Sequence, residues 1–266
     1  MTNPRRQSLP GLLGKIMTMF FLAALSAVAQ QQPAATPAPA TDQSKPEEKK
    51  DPDAKAEVNP KTGTSDDRLG YVLPNFLTVQ NADRLPPLTA GQKFKAVAKG
   101  AFDWGQFAWY GVLSGISQAQ NSEPGFGQGW DGFGKRYGAA AADGTIENFM
   151  TGAILPTVFH EDPRFYQLGQ GSFMHRTGYA MSRIVVTRTD SGHHQFNFSE
   201  ILGSALSASI STYSYHPRED RNIRNTASVW GTQVGYDTLS LVVKEFWPDI
   251  RRMISHKRHH DDAPTK

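Results

Sequence analysis

The chain has 266 residues, 28 basic and 25 acidic side chains, eight histidines and no cysteine. Without cysteine there are no disulfides, thiolate metal sites, cysteine nucleophiles or lipid-modified N-terminal cysteine. Once Arg5, Arg6 and Lys15 are set aside as part of a leader, the basic and acidic residues balance, so the pI near 9.0 is no argument for nucleic acid as a partner.

Those three basic residues precede an apolar run from Ile16 to Ala27, and Ala27-Val28-Ala29 supplies small residues at the spacing a signal peptidase accepts. The pattern predicts a cleavable signal peptide over 1–29 and export to the periplasm or envelope. The run is shorter than the roughly 20 residues of a bilayer span. Residues 30–67 are Pro, Ala, Gln and mixed charge with almost no large apolar side chain, which predicts a disordered spacer. A folded domain is expected over 68–254, and a disordered His-rich tail over 255–266.

Within the domain, Thr89 and Gln92 make a capping box, followed by apolar residues at three- and four-residue steps from Phe94 to Ile116. This predicts one long helix, or two broken near Asp103 to Gly105. A Gly-rich loop over 121–132 leads to a helix from about Phe133 to Phe149, with a kink or stop at Pro156. A third helix should open after Ser172 and bury Phe173, Met174, Thr177, Met181 and Ile184. Alternation on both sides of Asp190-Ser191-Gly192 predicts a short hairpin. Asn197 or Ser199 then caps a fourth helix, and a last helix starts near Asn222 or Asn225 and stops before Pro248. The expected fold is mainly α, a compact bundle of about five helices with one short β-hairpin.

Small residues recur four apart in Gly111/Gly115, Gly134/Gly138, Gly203/Ser207 and Gly231/Gly235. Such pairs let helix backbones approach closely, within a soluble bundle or between helices in lipid. Arg136, Asp143, Glu147, Glu200 and Asp237 in the same stretches favour the soluble bundle.

The densest polar cluster is His160-Glu161-Asp162-Pro163-Arg164-Phe165-Tyr166. His160, Asp162, Arg164 and Tyr166 are candidate catalytic residues, with His160 as acid or base, Asp162 orienting it and Arg164 holding an anion; a structural network is the alternative. A zinc-protease pattern would need His where Arg164 stands. His193-His194 beside Asp190 would point to opposite strand faces. His256, His259 and His260 have helical metal-ligand spacing and are candidate metal ligands of the tail. Arg176 and Arg183, seven apart on a helix, with Arg188 beyond, are candidates for an anionic or membrane surface. Gly127-x-Gly129-x-x-Gly132 spells a dinucleotide fingerprint without the strand that should precede it, and reads as a flexible loop. No cofactor is expected.

Leu73-Pro74-Asn75-Phe76, Gly134-Lys135-Arg136-Tyr137-Gly138-Ala139, the His160–Arg164 run, Thr187–Gly192, Phe196–Gly203 and Lys244–Ile250 together resemble a group of exported proteins of acidobacterial type. The resemblance covers Tyr71 to Arg252 and implies no activity. The expectation that follows is a non-enzymatic exported envelope protein that associates with a partner, a membrane surface or a second copy through its small-residue faces. The two alternatives are an exported hydrolase using the His160/Asp162/Arg164 loop and an outer-membrane barrel.

Overall fold

The structure, a computed structural model, describes residues 59, 62–64, 67–69, 72–80 and 85–261, with side chains to 253. The predicted signal peptide and most of the predicted spacer lie outside the described residues. Six helices carry the domain: α1 (Ala90–Ala101), α2 (Trp104–Gln120), α3 (Gly129–Phe149), α4 (Phe173–Ser182), α5 (Phe198–Ser214) and α6 (Ile223–Asp261). The strands are β1 (Arg68–Leu69), β2 (Leu73–Pro74), β3 (Thr78–Val79), β4 (Glu161–Asp162), β5 (Phe165–Tyr166), β6 (Val186–Thr189) and β7 (His194–Phe196). A barrel needs closed strands of about 9–11 residues, so strands of two to four residues overturn the barrel alternative.

Local chemistry sets the helix starts. Thr89 and Gln92 form the reciprocal capping box of α1, Asp103 caps α2 at once, Ser172 caps α4 and Asn197 caps α5. The long apolar stretch is therefore two helices. Asn121 ends α2 in the left-handed region at φ 50°.

α3 runs into a π-helical segment, Met150–Ile154, and a last turn, Leu155–Val158, that contains Pro156. This segment is wedged between α1 and α5: a Cβ on Gly152 would lie 2.7 Å from Val97, and one on Gly203 would lie 3.0 Å from Thr151. His160 then takes φ 54° and turns the chain into β4. The predicted hairpin is present, with Val186 opposite Phe196, and β4 extends it by pairing Glu161 with Thr189. β3 pairs in parallel with β5, and β1 with β2 antiparallel.

Three expectations differ. α6 continues through Pro248 to Asp261, so the backbone of the expected loose tail is helical to that residue. Pro248 cannot supply the N–H that would bond the Lys244 carbonyl, and the Gln167 side-chain amide donates to that carbonyl instead. Met174 and Met181 are exposed while Arg176, Thr177 and Ala180 are buried, because the capped helix turns its arginine towards α6. Phe165, Ala180, Val242 and Phe246 form the small apolar core beneath it.

Candidate functional site in the polar interior

The His160–Tyr166 run is a bonded scaffold. Glu161 is 1% exposed and accepts from Gln195 Nε2 at 2.7 Å and from the Phe198 and Ser199 amides at 3.1 and 2.9 Å, a carboxylate at the N-terminus of α5. Asp162 accepts from the Arg164 guanidinium at 2.7–3.1 Å and from the Tyr166 hydroxyl at 2.8 Å. Arg164 spends its remaining donors on the Thr62 and Pro86 carbonyls. Burial, then the charge and hydrogen bond of Asp162, push the Tyr166 phenol well up. Lys93, 1% exposed, donates to the Pro156 and Glu161 carbonyls and to Asp190. His160 is exposed and its ring makes no hydrogen bond to Asp162. The structure thus brings Asp162, Arg164 and Tyr166 together and leaves His160 apart.

The arginine stripe is not a free surface. Arg176 is buried against Glu245 at 2.8 Å, Asp249 at 2.6 Å and the Phe246 ring. Arg183 and Arg188 are half-buried and lie over the Tyr179 and Tyr166 rings. These contacts correct the expectation of an exposed anion-binding face. The side chains of His256, His259 and His260 lie outside the described residues.

The glycine fingerprint is also not a loose loop. Arg136, 2% exposed, donates to the Gly127 carbonyl and Gln118 Oε1 at 2.6 Å, to the Glu123 carbonyl at 2.7 Å and to the Gly132 carbonyl at 3.3 Å. A Cβ on Gly132 would lie 2.4 Å from the Gly127 oxygen, so glycine is required there by close backbone approach.

What the sequence reading missed lies between α3, α5 and α6. Asp143 and Glu147 come from α3, Glu200 from α5, Asp237 and Lys244 from α6. Glu147, Glu200, Asp237 and Lys244 are each hemmed in by protein on most sides yet keep some accessible surface. Burial, followed by the charges of Asp237 and Asp143, pushes the Glu147 carboxyl up to about 9. Burial and the neighbouring Asp237 raise Glu200 well above the carboxylate range. Burial pushes the Lys244 ammonium down against the pull of Asp237 and Glu200.

Next to Asp143, His216 is 5% exposed, with Nδ1 3.4 Å from Glu123 and Nε2 3.4 Å from Asp143. The Tyr215 hydroxyl donates to Asp143 at 2.5 Å. Burial alone would lower the imidazole, but the hydrogen bond and charge of Asp143, with Glu123 and Asp220, outweigh it and hold His216 above its ordinary value. Ser204, Ser207, Ser211 and Thr212 of α5 are each fully buried.

The outer faces have the reverse character. Trp109, Val112 and Ile116 on α2, Leu202, Leu206 and Tyr213 on α5, and Tyr236 on α6 are exposed. Between residues 104–120, 137–158, 198–214 and 225–243, the only Asp, Glu, Lys or Arg residues are Asp143, Glu147, Glu200 and Asp237, all four are at most partly exposed, and they lie near one another. The signal that could have found this arrangement was the spacing of lone polar residues on otherwise uncharged helices: 143/147, 200/204/207/211 and 233/237/240/244. Among the described residues no helix is long and apolar enough to cross a membrane. No protein family, curated protein or solved structure matches this chain.

Proposed function

We propose that this chain is an exported envelope protein whose helical domain lodges in a membrane with the uncharged outer faces of α2, α5 and the 225–243 part of α6 against lipid. The observation that carries the reading is the inverted distribution of polarity: the four acidic residues of four helical stretches are at most partly exposed and gather between α3, α5 and α6, while large apolar and aromatic side chains are exposed. A domain in water has the opposite incentive, because apolar area left in water is costly and charged groups hydrate freely on a surface. In an apolar solvent, charged groups face the interior of the bundle and pair there. Hydropathy averaged around a helix does not register this arrangement, since Ser, Thr and Glu of the inner face cancel the outer one. α2 and α5 are each about 25 Å long, close to the roughly 30 Å of a bilayer's hydrocarbon.

The leader read from the sequence supports delivery to the envelope, and the glycine pairs support close helix contact. Of the four pairs, Gly203/Ser207 packs against the π segment of its own chain, whereas a Cβ on Gly134, Gly138, Gly231 or Gly235 would meet nothing within 4 Å. Those open faces suit a further helix, in a second copy or an envelope partner. Fractionation of producing cells, with membranes washed first in high salt and then in carbonate, tests the reading. Retention through carbonate is the expected result; release of the whole chain into the soluble fraction overturns it.

A further inference from the structure

We infer that His216 is a pH-operated latch: it holds the α2–α3 connection, residues 121–128, against the α5–α6 connection, residues 215–222, while both of its ring nitrogens carry protons, and lets go when one is lost.

The geometry demands both protons. His216 Nδ1 lies 3.4 Å from Glu123 Oε1, and Nε2 lies 3.4 Å from Asp143 Oδ2. A carboxylate oxygen only accepts and a neutral imidazole has one N–H, so either neutral tautomer turns a lone pair towards one of the two carboxylates. Only the imidazolium donates to both. Asp143 is fixed on α3 and its other oxygen accepts from the Tyr215 hydroxyl. Glu123 stands on the connection itself, directly before the single turn Pro124–Phe126.

The two connections meet around this ring. Phe126 is buried, with its ring centroid 5.7 Å from that of the imidazole. A Cβ on Gly125 would fall 2.5 Å from Pro217 and 2.3 Å from Glu219, so the turn is seated directly on those side chains. Arg136 bonds the Glu123 and Gly127 carbonyls and thereby ties the loop to α3 in either state of the ring. The latch governs the other side, the contact with residues 215–222.

The charges around the ring come from every element packed on it. Glu123 belongs to one connection and Asp220 to the other, Asp143 and Arg136 to α3; Arg136 lies over the Phe126 ring, and Arg221 Nε donates to the His216 carbonyl at 3.0 Å. Burial alone would lower the imidazole, yet Asp143, Glu123 and Asp220 outweigh it and keep the ring charged above the ordinary histidine range. Loss of the proton leaves three carboxylates about an uncharged ring. Burial pushes the Glu123 carboxyl up, so acid that protonates it weakens the clasp from the other side. Opening adds the Phe126 ring to the exposed Trp130 at this end of the bundle.

The latch is independent of the membrane placement. Amide hydrogen exchange of the purified full chain from about pH 5 to pH 9, the range in which histidine titrates, tests it, with each rate divided by the intrinsic rate at that pH. The reporting amides are those of Phe126, Gly127 and Asp220, bonded to the Glu123, Pro124 and Pro217 carbonyls, and the reference is Phe102, bonded to Ala98 at the end of α1. Protection at the three should fall at least about tenfold relative to Phe102 as pH rises, the factor that one pKa unit of coupling supplies. The step should be absent in His216→Asn and move to lower pH in Glu123→Gln. A constant wild-type ratio overturns the latch, as does a step that His216→Asn retains. Should His216→Asn not fold, Glu123→Gln decides, and a step that it leaves unmoved overturns the latch.

Discussion

The side-chain amide of Gln167 donates to the main-chain carbonyl of Lys244, the group that Pro248 leaves without its helical partner one turn later. Arg176 Nη2 donates to the next carbonyl, that of Glu245, at 2.6 Å. A proline that should end α6 is thus absorbed by two side chains from outside the helix. Replacing Gln167 by Ala strands a buried carbonyl and should cost about 1–3 kcal/mol in unfolding experiments. In a Pro248→Ala background, which restores a main-chain N–H able to bond the Lys244 carbonyl within the helix, the same substitution should cost much less. Equal costs in the two backgrounds would show that Gln167 does not compensate for the proline.

Arg136 holds the loop between α2 and α3 through donors that only a guanidinium can spread over four partners. Arg136→Lys should lower stability by about 1.5–3 kcal/mol, as expected when hydrogen bonds from a buried charged group to carbonyl and amide oxygens are lost. It should also open residues 121–129 to limited proteolysis, and an unchanged cleavage pattern would contradict this role.

The bonding of the β4–β5 segment predicts opposite outcomes for two neighbouring substitutions. Arg164→Ala removes the partner of a buried Asp162 and should cost about 3–5 kcal/mol. His160→Gly relieves a left-handed φ at an exposed position and should leave the melting temperature unchanged or slightly higher. A large loss on His160→Gly would show that the imidazole is held by contacts the fold needs.

Stability should fall as pH rises from about 5 to 9. The carboxyl of Glu147 titrates at about 9 when folded, against an ordinary value of 4.5, so the folded state holds more protons across that window and loses its advantage as they leave. His216 acts in the same direction: its raised value stabilises the fold fully below the ordinary histidine range, and that contribution disappears as pH climbs through the folded value. Glu147→Gln, which keeps the shape without the charge, should melt higher than wild type at pH 8 and flatten the profile. Thermal melts across the series measure both effects, and a Gln variant with the wild-type slope would locate the dependence elsewhere.

The helix starts were legible in the sequence because each cap is a contact over two or three residues: Thr89 with Gln92, Asp103 with Gly105, Ser172 with His175, and Asn197 with Glu200. The hairpin about Asp190-Ser191-Gly192 was legible for the same reason, and the missing cysteines needed no fold at all. The helix end near Pro248 was not legible, since the donor that rescues Lys244 lies 77 residues away. Nor could spacing alone say that Arg176 is buried or that His160 and Asp162 face apart, because a partner in another element settles each. Asp143, Glu147, Glu200 and Asp237 looked in sequence like charges that keep helices in water. Only the packing of α3, α5 and α6 brought them together, where burial and mutual repulsion push the Glu147 and Glu200 carboxyls up and disfavour their charged forms.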